Sequence, residues 1–427
     1  MKNKENTLKF YYEYLYFFCR NIFNGRQIFQ SLHCIRFLLI LLIFFSLSNS
    51  ILWAKPKYKK VIKFWHHINH PSELEILNKY IKKYNSLYPD VKIQSLSFDF
   101  AVYRNSLKSN LMKKNGPDIF LIPNDWLGDL IVNNLVQHLS MIGIKTDDWI
   151  ESCKKQAVVN NLIYGLPLST ETIALFYNKK LVKTPPVLFD EFVRMLNDLK
   201  PSCYPLSVDV NSAYYLIPWY FGFGGKLLKN GMLNIEKDIF IKTCNFWIDL
   251  NYKKKLMYPI TSFEYKTVLN NFAAGNLAFL VDGPWSIPYL KSAKTDFGIT
   301  TLPYNAETKL NISPFIGTQI YCVSSQSKIT VELKEFLNIM TSHDIQIEFA
   351  RKLGKLPACN SIYNKFDKKK DWMIFAFYNQ LKKGASMPSS SEIDKLWSVL
   401  SQDNLINIFN KKETPENFVK KHKDFFK

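Results

Sequence analysis

Residues 116–126 read GPDIFLIPNDW. The apolar run Ile119–Pro123 lies between a helix-breaking Asn115-Gly116-Pro117 and the polar Asn124-Asp125-Trp126. A continuous apolar run of this length suits a strand covered on both faces, as in parallel sheets flanked by helices. Upstream, Val61–Trp65 (VIKFW) reads as a short strand. Ser72 and Glu75 are spaced as a capping box, and Leu74, Leu77, Ile81, Tyr84 and Tyr88 recur at helical spacing. A helix over 73–87 is predicted, stopped by Pro89-Asp90. Val91–Leu96 is a second strand, and another helical stretch runs to Lys114. The order β-α-β-α-β predicts an α/β fold with a doubly wound parallel sheet.

A second unit begins near residue 170. Ile173–Tyr177 (IALFY) is a strand. After Pro185-Pro186 comes a helix carrying Phe189, Val193, Leu196 and Leu199 on one side, stopped by Pro201. Residues 236–254 form a longer helix with Phe240, Trp247 and Leu250 inward. Leu277–Val281 (LAFLV) is another buried strand, followed by the sharp turn Asp282-Gly283-Pro284. Residues 386–391 are a loop into a final helix. No internal repeat is evident.

A chain of 427 residues at this pitch holds two or three domains. With 47% hydrophobic and 22% charged residues it is neither disordered nor fibrous. The net charge of +20 suggests nucleic acid, but only six of the 56 basic residues are Arg, the side chain that base and phosphate readers favour. The excess is read as a bias towards Lys, and no nucleic-acid partner is expected. Phe37–Leu47 (FLLILLIFFSL) is too short for a membrane span and fits the apolar core of a signal peptide. Arg20, Arg26 and Arg36 precede it. Ser48 and Ser50, or Leu52 and Ala54, offer cleavage sites, so residues 1–54 are read as a signal peptide or an uncleaved anchor, and the rest as extracytoplasmic. Cys19 and Cys34 precede the apolar run. The other five cysteines contain no CxxC pair, so neither a disulfide framework nor a zinc site is expected. Most are read as small buried hydrophobes.

In open α/β sheets, ligands bind beyond the carboxyl ends of the strands. Asp125 and Trp126 follow IFLIP, Trp285 follows LAFLV and its turn, Trp65 ends VIKFW, and Glu171 lies on the segment entering IALFY. Carboxylates mixed with indoles suit a sugar, whose ring faces want apolar surface and whose hydroxyls want charged acceptors. Each residue has a plainer reading. Trp65 and Trp126 fit a core equally well, Asp125 fits a helix N-cap, and Glu171 fits a solvated surface. His66, His67 and His70 could gather on a metal, but no matching Cys/His set accompanies them and no metal is expected. Asp125 and Glu171 could form a glycosidase pair. No nucleophile or phosphate-loop motif supports an enzyme, and no cofactor is expected.

Four stretches carry a family resemblance. They are Gly116–Asp125; Tyr164–Glu171 with Leu175–Lys179 and Pro185-Pro186; Phe272–Asn276 with Asp282–Trp285 and Phe297–Pro303; and Pro314–Gly317. In this order they resemble the extracellular solute-binding proteins of sugar ABC transporters, most of all the maltose/maltodextrin-binding proteins, over nearly all of residues 58–427. The resemblance implies a class II two-lobe periplasmic-binding-protein fold, each lobe a sheet flanked by helices. One lobe would take 55–169 plus 316–368 and the other 172–311 plus 370–427, with hinges near 170–171 and 312–315. It implies a monomer that captures an oligosaccharide between the lobes and delivers it to the membrane permease of an ABC importer. It carries ligand-binding roles onto Asp125, Glu171, Tyr214, Trp285, Trp397 and Trp65. Where maltose binders have an arginine, a second cleft glutamate and an aromatic, this chain has Trp126, Ser212 and Ile122. A non-sugar solute (glycerol phosphate, polyamine or metal) is the alternative ligand.

Overall fold

The structure, a computed structural model, describes residues 58–140, 143–259 and 264–427. The expected signal peptide, Cys19 and Cys34 lie outside the described residues. Among those described, no helix is long and apolar enough to cross a membrane.

The main strands in chain order are β1 (Lys60–His66), β2 (Val91–Ser97), β3 (Ile119–Pro123), β4 (Leu166–Glu171), β5 (Ala174–Asn178), β6 (Tyr204–Ser207), β7 (Leu277–Asp282), β8 (Phe297–Thr300), β9 (Phe315–Ser324) and β10 (Leu356–Pro357). Helices α1 (Pro71–Leu87) and α2 (Phe100–Met112) join β1 to β2 and β2 to β3. Two sheets result. One runs β10-β4-β9-β3-β1-β2, and the other β8-β5-β7-β6. The chain passes from the first to the second between Glu171 and Ala174, and returns before Phe315.

The first sheet is parallel only where helices make the crossovers. β1 pairs parallel with β2 (Ile62 opposite Ile93) and with β3 (Phe64 opposite Ile119). β9 instead arrives from the second sheet and runs antiparallel to both β3 and β4. The second sheet is mixed too, with β7 antiparallel to β5 and parallel to β6. The expected wholly parallel sheet is therefore corrected to a mixed one. A direct connection between sheets delivers a strand end-on, whereas a helical crossover returns it in the same direction.

α1 starts earlier than its expected capping box. Pro71 has no N–H to satisfy and a φ already suited to a helix, so it takes the first helical position. His70 becomes the N-cap, its Nδ1 accepting from the Ser72 N–H at 3.3 Å. The helix expected over 236–254 is α-helical over Lys237–Ile248 and closes with a π-turn, Asp249–Lys253. Phe240, Trp247 and Leu250 face inward. The helix after residues 386–391, Glu392–Val399, is followed by two more, Gln402–Phe409 and Pro415–Lys421. The five described cysteines are free. Cys153, Cys244, Cys322 and Cys359 are buried, and Cys203 half-buried.

Candidate functional site

The end of β3 turns into a single 3-10 turn, Asn124–Trp126, which is fixed by Asn124. The Asn124 amide donates to the Met387 carbonyl (3.1 Å) and Ser389 Oγ (2.9 Å) and accepts from the Thr318 N–H (3.0 Å). This ties β3, β9 and the 386–391 loop together and leaves Asp125 facing Trp397. The indole N–H of Trp397 donates to Asp125 Oδ2 at 3.0 Å. Burial pushes the Asp125 carboxyl up to about 6, against the pull of Arg104 and the Trp397 hydrogen bond. Arg104, from α2, lies 5.7 Å from the Trp126 ring and pairs with Asp394 on the helix Glu392–Val399. A guanidinium thus stands near the acid although Trp126 occupies the next position. Trp126 itself is buried against Phe100 and Tyr103.

Glu171 ends β4 and pairs with Lys355 Nζ at 3.2 Å; Lys355 also holds Glu73 at 2.8 Å. All three side chains are at least five-sixths buried. Burial opposes the charge on Lys355, but Glu73 and Glu171 outweigh it and raise its pKa. Burial likewise opposes ionisation of Glu73, and Lys355 brings its pKa below the usual range. Beside them His67 Nε2 donates to Gln319 Oε1 at 2.9 Å.

Tyr214 is half-buried in the first turn of the helix Ala213–Gly222. Its ring centroid is 6.4 Å from Trp285 and 6.3 Å from Phe315. Phe315 in turn meets Trp397 edge-on at 6.0 Å. Burial raises the Tyr214 pKa, and Glu171, Asp125 and Asp282 raise it further. One phenol therefore feels carboxylates from the ends of β3, β4 and β7. Asp282, which the sequence reading treated as a turn residue, is fully buried. It accepts from Tyr215 (3.1 Å), Tyr265 (2.9 Å) and the Gly283 N–H (2.8 Å), and burial pushes its pKa up to about 6. Trp285 lies across Gly283, where a Cβ would sit 2.2 Å from the indole, so only glycine lets the ring rest there. With 37% of its surface exposed, the indole presents a free face.

Five of the six sequence candidates, Asp125, Glu171, Tyr214, Trp285 and Trp397, are brought together. Trp65 makes its ring contact with Phe98 (4.7 Å) and its carbonyl accepts from the Tyr103 hydroxyl (3.0 Å), beside the buried Trp126 wall. Ile122 is wholly buried, and Ser212 is the N-cap of the Tyr214 helix. The three histidines do separate jobs. His66 takes the Ile68 N–H on Nδ1 and donates to Ser95 from Nε2; its burial lowers the pKa to about 4. His67 holds Gln319, and His70 caps α1. Each thus points its ring at a different partner. Sequence reading missed Glu73, Arg104, Asp282, Gln319 and Lys355. Glu73, Asp282, Gln319 and Lys355 are marked by their burial and Arg104 by its distant partners, neither of which local spacing reveals.

The profile of the bacterial extracellular solute-binding protein family matches residues 79–376. The chain is 26% identical over 348 residues to a maltotriose-binding protein of Pyrococcus abyssi, covering 79% of this chain and 75% of the relative. It is 26% identical over 326 residues to a galactooligosaccharide-binding protein of Bacillus subtilis, covering 72% and 76%. The fold is that of the maltose/maltodextrin-binding domain of Bdellovibrio bacteriovorus bound to maltotriose (TM-score 0.76, 21% identity, 86% of this chain and 98% of the other). It is equally that of the maltose-maltodextrin binding protein of Alicyclobacillus acidocaldarius (TM-score 0.75, 24% identity, 86% and 99%). All four are named for the sugars they bind. With the family profile matched over more than half of its length, this chain belongs to the bacterial extracellular solute-binding proteins.

Proposed function

We propose that this protein is the substrate-binding component of an ABC importer and captures a malto-oligosaccharide between its two lobes. The observation that carries the reading is the gathering of Asp125, Glu171, Trp285 and Trp397 about the Tyr214 phenol, the first three at or just past strand ends of both sheets and Tyr214 and Trp397 on helices. Indole faces would stack on pyranose rings, and the carboxylates would accept from hydroxyls. In this reading one lobe takes residues 55–169 plus 316–368 and the other 172–311 plus 370–427, with hinges near 170–171 and 312–315. The sugar bridges both and favours closure only through contacts absent when the lobes are open. The closed monomer then docks on its permease outside the cytoplasmic membrane, with residues 1–54 directing export. Nucleic acid has no part in it. Relatives named for binding maltotriose and galacto-oligosaccharides support the sugar class.

A thermal-shift screen of the purified protein against maltose, maltotriose, maltotetraose, galacto-oligosaccharides, glycerol 3-phosphate and spermidine tests this reading, since a ligand of the native state raises the melting point. Malto-oligosaccharides are expected to give the largest rise. A rise with glycerol 3-phosphate or spermidine alone would overturn the sugar assignment.

A further inference from the structure

We propose that Asp148, His343 and Cys359 form a binding site for one zinc-type divalent ion, sharing no residue with the sugar crevice. Their donor atoms all lie within 4.8 Å of one another, and His343 Nε2 is 3.4 Å from Asp148 Oδ2. A tetrahedral zinc with bonds of about 2.0–2.3 Å sets its ligand atoms roughly 3.3–3.7 Å apart. Side-chain tips therefore need to close by about an ångström, within reach of χ rotations.

Three separate elements are locked so that these donors meet. Residues 148–150 run antiparallel to 358–360. Trp149 is bridged to Cys359, Ile150 N–H donates to the Ala358 carbonyl at 2.8 Å, and Asn360 N–H donates to the Asp148 carbonyl at 2.7 Å. Ser361 orients the Asp148 carboxylate from outside, through its N–H (2.8 Å) and its hydroxyl (2.5 Å). Gln346, one turn along the helix from His343, donates to Cys359 Sγ at 3.8 Å and accepts from the Ala358 N–H at 2.8 Å. Asp148 and Cys359 thus each have a hydrogen-bonded partner behind them, the usual support of a metal site.

The donor set selects the ion. Carboxylate, imidazole and thiolate together suit zinc and its neighbours, whereas calcium and magnesium want oxygen alone. Three protein ligands leave a fourth position for water. A cavity of about 570 Å³ opens onto all three residues and gives an entry path. Lys145 and Lys334 on its wall oppose cation entry, so the ion is held by coordination bonds rather than drawn in by long-range attraction. On coordination the Cys359 thiol gives its proton to solvent, the sulfur lone pair forms the metal bond, and no redox partner is needed.

The test is a cobalt titration of the full, chelator-stripped chain, followed by zinc displacement. Saturation at one equivalent is expected, with a near-ultraviolet sulfur-to-cobalt charge-transfer band that zinc bleaches. Cys359→Ser should abolish the band. His343→Gln and Asp148→Asn should each weaken zinc binding at least tenfold, about 1.4 kcal/mol. Far-ultraviolet circular dichroism and maltotriose titration confirm that each variant is folded. No thiolate band in the wild type, the same band in Cys359→Ser, or unchanged zinc affinity in His343→Gln would each overturn the site.

Discussion

Trp397 donates its indole N–H to Asp125 Oδ2 at 3.0 Å, joining side chains 272 residues apart in the chain. Asp394, on the same helix as Trp397, pairs with Arg104 from α2, so that helix is tied both to the turn after β3 and to α2. Asp125 is thus held by an indole N–H, and with few donors in a buried place its charge remains disfavoured.

The carboxyl of Asp125, raised to about 6 by burial, makes the free protein weaker as pH rises. A raised folded-state pKa contributes stability below the unfolded value near 3.8, and this is lost as pH climbs to about 6. Asp125→Asn keeps an acceptor for Trp397 and removes the buried charge. The variant should melt higher than wild type at pH 7, by an amount worth at most about 3 kcal/mol, and the gap should shrink towards pH 4. Comparing the two melting curves across that range also cancels His66. Its depressed pKa works the other way, losing stability as pH falls from 6.5 to about 4.

Trp285→Ala removes a half-exposed indole whose loss opens no core cavity. Because the Trp285 side chain also hydrogen-bonds buried Asp282, stability should fall by about 1–3 kcal/mol in urea unfolding. Maltotriose affinity should fall at least tenfold in calorimetric titration, the equivalent of about 1.4 kcal/mol.

Gly283→Ala places a methyl where the Trp285 ring now lies. The indole must swing off its resting position. Affinity should drop as it does in Trp285→Ala, while a Gly283→Ala/Trp285→Ala double variant should bind no worse than Trp285→Ala alone. Additive losses would show that Gly283 acts elsewhere.

Lys355→Met leaves Glu73 and Glu171 buried without their shared cation. Removing one partner of a buried ion set costs about 3–5 kcal/mol. Denaturant unfolding should show a loss of that size, partly recovered when Glu73→Gln is added. A loss under about 1 kcal/mol would mean that the trio behaves as an exposed pair does.

Much of this architecture is legible in the sequence where burial and local pattern coincide. β1, β3, β5 and β7 are short apolar runs bounded by breakers, so their positions follow from periodicity. β9 is buried along all ten residues, yet it reads FIGTQIYCVS, with polar positions that hide a strand. Those polar groups are satisfied by residues far away: Thr318 by Asn124 and Gln156, Gln319 by His67. The site divides the same way. Asp125, Glu171 and Trp285 stand at strand ends or turns and are visible there. Lys355 is one basic residue among many, and only its approach to Glu73, 282 positions away, gives it a role. Arg104 lies on a helix face whose importance comes from Trp126 and Asp394. Pairings across such separations leave no trace in local spacing.

Calorimetric titration of maltotriose into wild type and into Asp125→Asn/Trp285→Ala tests the central claim most directly. The account predicts one saturable site in the wild type and an affinity at least a hundredfold weaker in the double variant, about 2.8 kcal/mol. Equal affinities in the two proteins, or no binding heat from any oligosaccharide in the wild type, would contradict it.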